Sequence, residues 1–302
     1  MQPALLPGAL TAAETFPLQV PRGYARLMEK GNPDDPLLRQ VWPLAQELQR
    51  EPGFHSDPVG DLAAACGEGL LQKYAGRALL IATAACAIHC RYCFRRDFPY
   101  ADHQALPRHW PALQRRLSGQ HELQELILSG GEPLLLEDSK LQELIAGLTR
   151  ITSLRRLRIH SRLPVVLPSR ITKSLCDILT GHRLATVLVV HANHPRELSA
   201  EAREALGRLH AAGVTLLNQS VLLRGVNDSV EVLQALSEAL FESRVLPYYL
   251  HQLDRVRGSG HFAVPDAEAR HLIESLRSQL SGYLVPRLVR DGKGQPSKLP
   301  LC

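Results

Sequence analysis

The sequence predicts an α/β protein, a partial (β/α)6 barrel preceded by a helical segment and followed by a short Gly/Pro-rich terminal segment. From residue 78 onward, short apolar runs rich in β-branched residues alternate with amphipathic stretches of helical length, which implies parallel strands joined by right-handed crossovers. There are six such units, two short of the eight that close a full barrel. The polar residues that interrupt the apolar pattern fall at the C-terminal ends of the strands, where barrels of this kind carry their chemistry. The divisions are then 1–75, helical; 76–282, barrel; and 283–302, terminal segment.

Composition narrows the class. With 302 residues, 45% hydrophobic and 22% charged, the chain can bury a large core and reads as an ordinary globular protein. The net charge of +5 is spread out; without a Lys/Arg block it does not point to nucleic acid. No apolar run reaches the length of a membrane span. The first residues, Met1-Gln-Pro-Ala-Leu-Leu-Pro-Gly, lack the basic and apolar stretches of a secretion signal. Six cysteines in this length do not form a disulfide framework. A cytoplasmic protein is expected.

In the first segment, Pro36 to Leu48 carries apolar residues at helical spacing, with Asp34 and Asp35 placed to cap its start. The strands are expected near 78–84, 125–129, 156–161, 186–191, 215–222 and 244–250. The helices are expected near 108–118, 139–150, 170–180, 197–212, 230–241 and 266–279.

Directly after the first strand comes Cys86-Ala-Ile-His-Cys90-Arg-Tyr-Cys93. Three thiolates at this spacing can ligate three irons of a [4Fe-4S] cube and leave the fourth open. A structural zinc site is the alternative, but it wants four ligands, usually in two separated pairs, and Cys66, Cys176 and Cys302 are solitary. After the second strand, Ser129-Gly130-Gly131-Glu132 lets backbone approach a ligand and sets a carboxylate beside it. The fourth strand delivers His191 and His194. Asn218 and Gln219 interrupt the apolar fifth strand, where amides need partners.

The cysteine motif after a first strand, with Tyr92 before its last cysteine, resembles the radical S-adenosylmethionine (SAM) superfamily. The similarity tightens to the lysine 2,3-aminomutase family, and within it to the branch that serves β-lysylation of elongation factor P (EF-P). It rests on Lys73-Tyr-Ala-Gly-Arg77, the cysteine motif followed by Phe94-Arg95-Arg96, Leu128 to Glu132, Ile159 to Pro168, Asn218 to Asp228, Pro247 to His251, and Pro296-Ser-Lys298-Leu-Pro300.

The resemblance implies an isomerase with a cluster on Cys86, Cys90 and Cys93. SAM would be held by Ser129, Gly130, Gly131, Glu132 and His191. It implies pyridoxal 5′-phosphate (PLP) joined as a Schiff base to Lys298, with Lys73, Arg77, Asn218 and Gln219 around it; Lys293 is the competing lysine. Arg95 would pair with the substrate α-carboxylate, and Asp254 and Asp291 with the distal ammonium of L-lysine. The product would be (R)-β-lysine, passed to a ligase that acts on EF-P. An aminomutase of arginine or glutamate, or a radical SAM enzyme without PLP acting on a protein, are the alternatives. The chain stops four residues after Lys298, which leaves a homo-oligomer open.

Overall fold

Seven parallel strands lie side by side in chain order, with one antiparallel strand at either edge. The computed structural model describes residues 6–67, 69–74, 76–103, 110–295 and 297–302. Its nine-stranded sheet runs β1 (Leu70–Tyr74), β2 (Arg77–Thr83), β3 (Glu125–Gly130), β4 (Arg156–Ser161), β5 (Ala185–Val190), β6 (Thr215–Val221), β7 (Leu246–His251), β8 (Arg287–Arg290) and β9 (Leu299–Pro300). Strands β2 to β8 pair in parallel, each with the next, and β1 and β9 are antiparallel to their neighbours.

The helices are α1 (Leu6–Thr15), α2 (Arg22–Ala25), α3 (Pro36–Arg39), α4 (Trp110–Ser118), α5 (Asp138–Thr149), α6 (Leu163–Val166), α7 (Lys173–Thr180), α8 (Ala200–Ala211), α9 (Val230–Glu242) and α10 (Asp266–Gln279). The six long crossovers, α4, α5, α7, α8, α9 and α10, stand where the sequence pattern puts them, and β2 to β7 are the six expected strands. The expected start of α4 at 108 lies outside the described residues, as do Ala75 and Pro296 of the family motifs.

Local chemistry starts several helices. Thr172, Ser199 and Ser229 accept hydrogen bonds from the backbone N–H of Leu175, Ala202 and Val232, satisfying donors that the first turn leaves free. On the strands, Leu126, Leu128, Leu157, Ile159 and Leu188 are fully buried in the main core with Leu141, Leu144 and Leu148 of α5. Because successive side chains alternate across a strand, their neighbours Ile127, Arg158 and His160 line the barrel interior.

Two segments differ from expectation. The helix expected over residues 36–48 is broken into α3 and a 3-10 turn, Ala45–Leu48. Pro43 offers no N–H and disfavours helical geometry at Trp42. Asp35 does cap α3, accepting from the N–H of Leu37 and Leu38 at 2.9 Å. The segment expected to be helical also ends in a strand, β1.

The terminal segment adds β8 and β9 to the six-unit barrel. Four residues between Pro286 and Asp291 are too few to show a period; pairing with β7 makes them a strand. The sheet stays open between β1 and β9, and Tyr74 reaches across to donate to Asp291 Oδ1 at 3.1 Å. Among the described residues, no helix is long and apolar enough to cross a membrane.

Candidate active site

A cavity of about 460 Å³ opens at the C-terminal ends of the strands, and the three motif cysteines line it. They sit in the loop after β2, all three as free thiols and half-buried. The N-terminal segment clamps this loop from outside. Gln19 donates its side-chain amide to Cys86 O at 2.5 Å and accepts the N–H of His89 at 2.9 Å. Arg91 of the loop, fully buried, grips both oxygens of Glu47 at 2.8 and 2.5 Å. His89 stacks on Phe16 and bonds Pro17 O, so its ring is engaged with the N-terminal segment.

Burial pushes the Cys93 thiol up to about 11, with Cys90 adding to it, and raises Cys86 as well. Ligation must therefore displace protons from these sulfurs. Among the described residues, no three His, Cys, Asp or Glu side chains form a single-ion site. A cubane asks for something else, one thiolate on each of three irons, and three cysteines on one cavity wall fit that.

The end of β3 crosses close to this loop. Gly130 has φ +114°, and a Cβ on Gly131 would lie 2.3 Å from Ala85 O. The glycines here are needed for backbone approach to backbone. Ser129 accepts from Arg95 at 3.1 Å. Glu132 is buried, accepts the N–H of Arg162 at 2.8 Å and of Leu134 at 3.2 Å, and is pushed up to about 7 by burial against those bonds.

His191, directly after β5, and Gln219 of β6 face the cavity, joined through Nε2 atoms 3.0 Å apart. Burial, aided by Arg162 and Arg95, pushes His191 down to about 3, so it is a neutral hydrogen-bonding group. Asn218 does not line this cavity. Its amide accepts from Ala192 N–H, donates to Ala192 O and Ser220, and is buried on the other face of the sheet. Strand alternation gives the cavity to only one of two consecutive residues.

The polar end of the cavity holds cations and carboxylates together. Lys298 donates to Asp291 Oδ2 at 2.5 Å and lies 5.9 Å from the centre of the Tyr249 ring. Lys293, by contrast, is exposed. Asp254 lines the same wall, pushed up to about 7 by burial and by Asp291. Burial raises Asp291 too, but Lys298 outweighs it and holds the carboxyl below its usual range. Arg77 lies over the Tyr74 ring at 4.2 Å. Lys73 and Arg95 share one partner, the buried Asp61, each at 2.6 Å.

Asp61 has no motif around it, and sequence reasoning did not single it out. Tyr74, His160, Arg162 and His251 fall inside stretches that carry the family resemblance, yet the sequence assigns them no role. The Nε2 atoms of His160 and His251 are buried without a hydrogen-bond partner, and both residues line the cavity. Orphaned polar atoms on a wall that also carries Lys298, cations and carboxylates fit a bound polar group such as PLP. The sequence signal for His160 and His251 was their place in those stretches, at or next to the ends of β4 and β7.

The Radical SAM superfamily model matches residues 80–236, which contain the cysteine loop and the strands from β3 to β6. L-lysine 2,3-aminomutase of Escherichia coli (strain K12) is 49% identical over 96% of this chain and 85% of its own. The enzyme of that name from Haemophilus influenzae is 45% identical over 96% and 86%. That of Clostridium subterminale is 37% identical over 97% and 71%. Among solved structures, native anSMEcpe with bound AdoMet and Cp18Cys peptide shares the fold at a TM-score of 0.50 and 12% identity, over 67% of this chain and 58% of that one. That family implies an isomerase with a [4Fe-4S] cluster, SAM and PLP, and three thiols, a lysine and orphaned polar groups around one cavity are consistent with all three. The chain belongs to the radical SAM superfamily and, within it, to the lysine 2,3-aminomutase family.

Proposed function

We propose that the protein converts L-lysine to (R)-β-lysine with PLP, and that the product serves β-lysylation of EF-P. The observation that carries this is the composition of one cavity. The three motif thiols, Lys298, Arg95 and the carboxyl groups of Asp254 and Asp291 all line it, and an extended diamino acid needs a cation at one end and anions at the other. The relatives named L-lysine 2,3-aminomutase support the same substrate.

When bound, the cluster with SAM supplies an adenosyl radical and PLP supplies conjugation for an unpaired electron. The chain's own residues do the binding and orienting. Arg95 is held by Asp61 through Nε and by Ser129 through Nη1, which leaves Nη2 for the substrate carboxylate. Lys73 and Arg77 suit the PLP phosphate, with Gln219 beside it. Asp291 now holds the Lys298 ammonium; the distal ammonium of lysine offers it the same charge, and Asp254 lies alongside. Lys298, rather than the exposed Lys293, is the anchor for PLP.

The test is an anaerobic assay of the reconstituted protein with SAM, PLP, dithionite and L-lysine, separating α- from β-lysine. β-Lysine that depends on both SAM and PLP is the expected result. SAM cleavage without β-lysine would remove the lysine assignment and leave the family untouched. Lys298→Ala should lose the imine absorbance of bound PLP; if it is retained, Lys293 is the anchor. For the EF-P link, intact mass should show faster modification by the ligase with this product than with L-lysine; equal rates would break it.

A further inference from the structure

Arg162 follows β4 and lines the cavity, but its side chain has no role in the function proposed above. Its guanidinium is 4% exposed and fixed on two sides. Nη1 donates to the sulfur of Cys90 at 2.7 Å. Nη2 donates to Glu197 at 2.8 Å, to the Gln40 carbonyl oxygen at 2.6 Å and to the Tyr24 hydroxyl at 3.2 Å. Glu197 is fully buried, and the Gln40 amide donates back to it at 3.0 Å. Tyr92 and Asn193 close the network on Gln40. A guanidinium held this way cannot turn from the sulfur without losing several buried hydrogen bonds.

We propose that Arg162 is a positioning residue that raises the reduction potential of the cluster through its hydrogen bond to Cys90, and that Glu197 sets how much of its charge the cluster feels. The proposal rests on the family's cluster reading of the three cysteines. Accepting one electron from an external low-potential donor makes the cluster one unit more negative. A buried cation against one of its thiolates favours that reduced form, since hydrogen bonds to the sulfurs and local net charge both set the potential. Glu197 stands on the other side of the guanidinium and offsets its charge. Removing the cation and removing its counter-ion should therefore move the potential in opposite directions, which a purely structural ion pair would not do.

The experiment uses anaerobically reconstituted holoprotein. Iron and labile sulfide are counted first, and the cluster is then titrated with dithionite without SAM, following the reduced cluster by electron paramagnetic resonance. Arg162→Gln should make one-electron reduction at least tenfold less favourable, a shift of about 59 mV downward. Glu197→Gln should shift it upward, and Arg162→Lys, which keeps the charge but not the fork, should fall between wild type and Arg162→Gln. Loaded variants with unchanged potentials, or shifts of the same sign in Arg162→Gln and Glu197→Gln, would overturn the proposal. If Arg162→Gln does not hold iron, the direction of the Glu197→Gln shift decides alone. Wild-type protein without labile sulfide would instead strike at the cluster reading itself.

Discussion

Replacing Asp61 with Asn removes one negative charge from between two cations. In the native chain its oxygens lie 2.6 Å from Lys73 Nζ and 2.6 Å from Arg95 Nε, with side-chain exposures of 3% for Asp61, 8% for Arg95 and 23% for Lys73. Breaking a buried ion pair by removing one partner costs about 3–5 kcal/mol. The partial exposure of Lys73 lets water take over some of that loss, which places Asp61→Asn near 3 kcal/mol. For a chain of this length that is a fall in Tm of roughly 6 °C, at about 2 °C per kcal/mol.

The sign of the pH dependence follows from the same contacts. Burial raises the Asp61 carboxyl, but Arg95 and Lys73 outweigh it and hold it below its usual range. Its contribution is full above pH ~4 and fades as pH falls through the lowered value, so variant and wild type should converge in acid. Freed of their shared counter-ion, Lys73 and Arg95 should also attract a dianion more strongly. Thermal unfolding of the protein with and without added phosphate reads both effects. A variant within ~1 kcal/mol of wild type at neutral pH, and no more responsive to phosphate, would refute the view of Asp61 as the counter-ion of both sites.

Gly131→Ala would put a Cβ 2.3 Å from Ala85 O and force the cysteine loop aside by about 1 Å, a displacement able to cost ~10²-fold in rate; iron content and turnover should both fall, and wild-type values would mean the loop yields freely. Asp254, pushed up to about 7, keeps its proton in the folded chain while the unfolded chain loses it near pH 4, so stability drops as pH rises between the two. Asp254→Asn should therefore be more stable than wild type at pH 8 by at least ~1.4 kcal/mol, one pKa unit's worth, yet bind lysine more weakly; equal unfolding curves would contradict this. Asn218→Ala should lose about 2 kcal/mol of stability, as buried partners go unpaired, and leave PLP affinity unchanged. Gln219→Ala should show the reverse pattern by urea unfolding and PLP titration, and a common pattern for both would mean that strand alternation does not separate them.

Much of what lines the candidate site was legible because its signals are local. Cys86, Cys90 and Cys93 stand close enough in sequence to show their spacing, and the six strands of the central barrel carry their own apolar pattern. Lys298 was legible only through resemblance to a family, since a lysine in a Gly/Pro-rich tail has no period to mark it. The parity of Asn218 and Gln219 was not readable, because two polar residues in a row give no hint of which one faces in. β8 was hidden for a different reason, being too short to reveal a strand without β7 beside it.

What the sequence determined by itself was the order of the six central strands and their crossover helices and the spacing of the three cysteines, both properties of residues near each other along the chain. Tertiary structure alone decided the pairings that tune the site. Gln40 meets Glu197 across 157 positions and Tyr74 meets Asp291 across 217, and Asp61 acquires its meaning only when Lys73 and Arg95 close on it. A charge in a linear sequence has no fixed partner. Only the folded chain, by excluding water and setting distances of a few ångströms, determines which charges neutralise one another and which remain for a ligand.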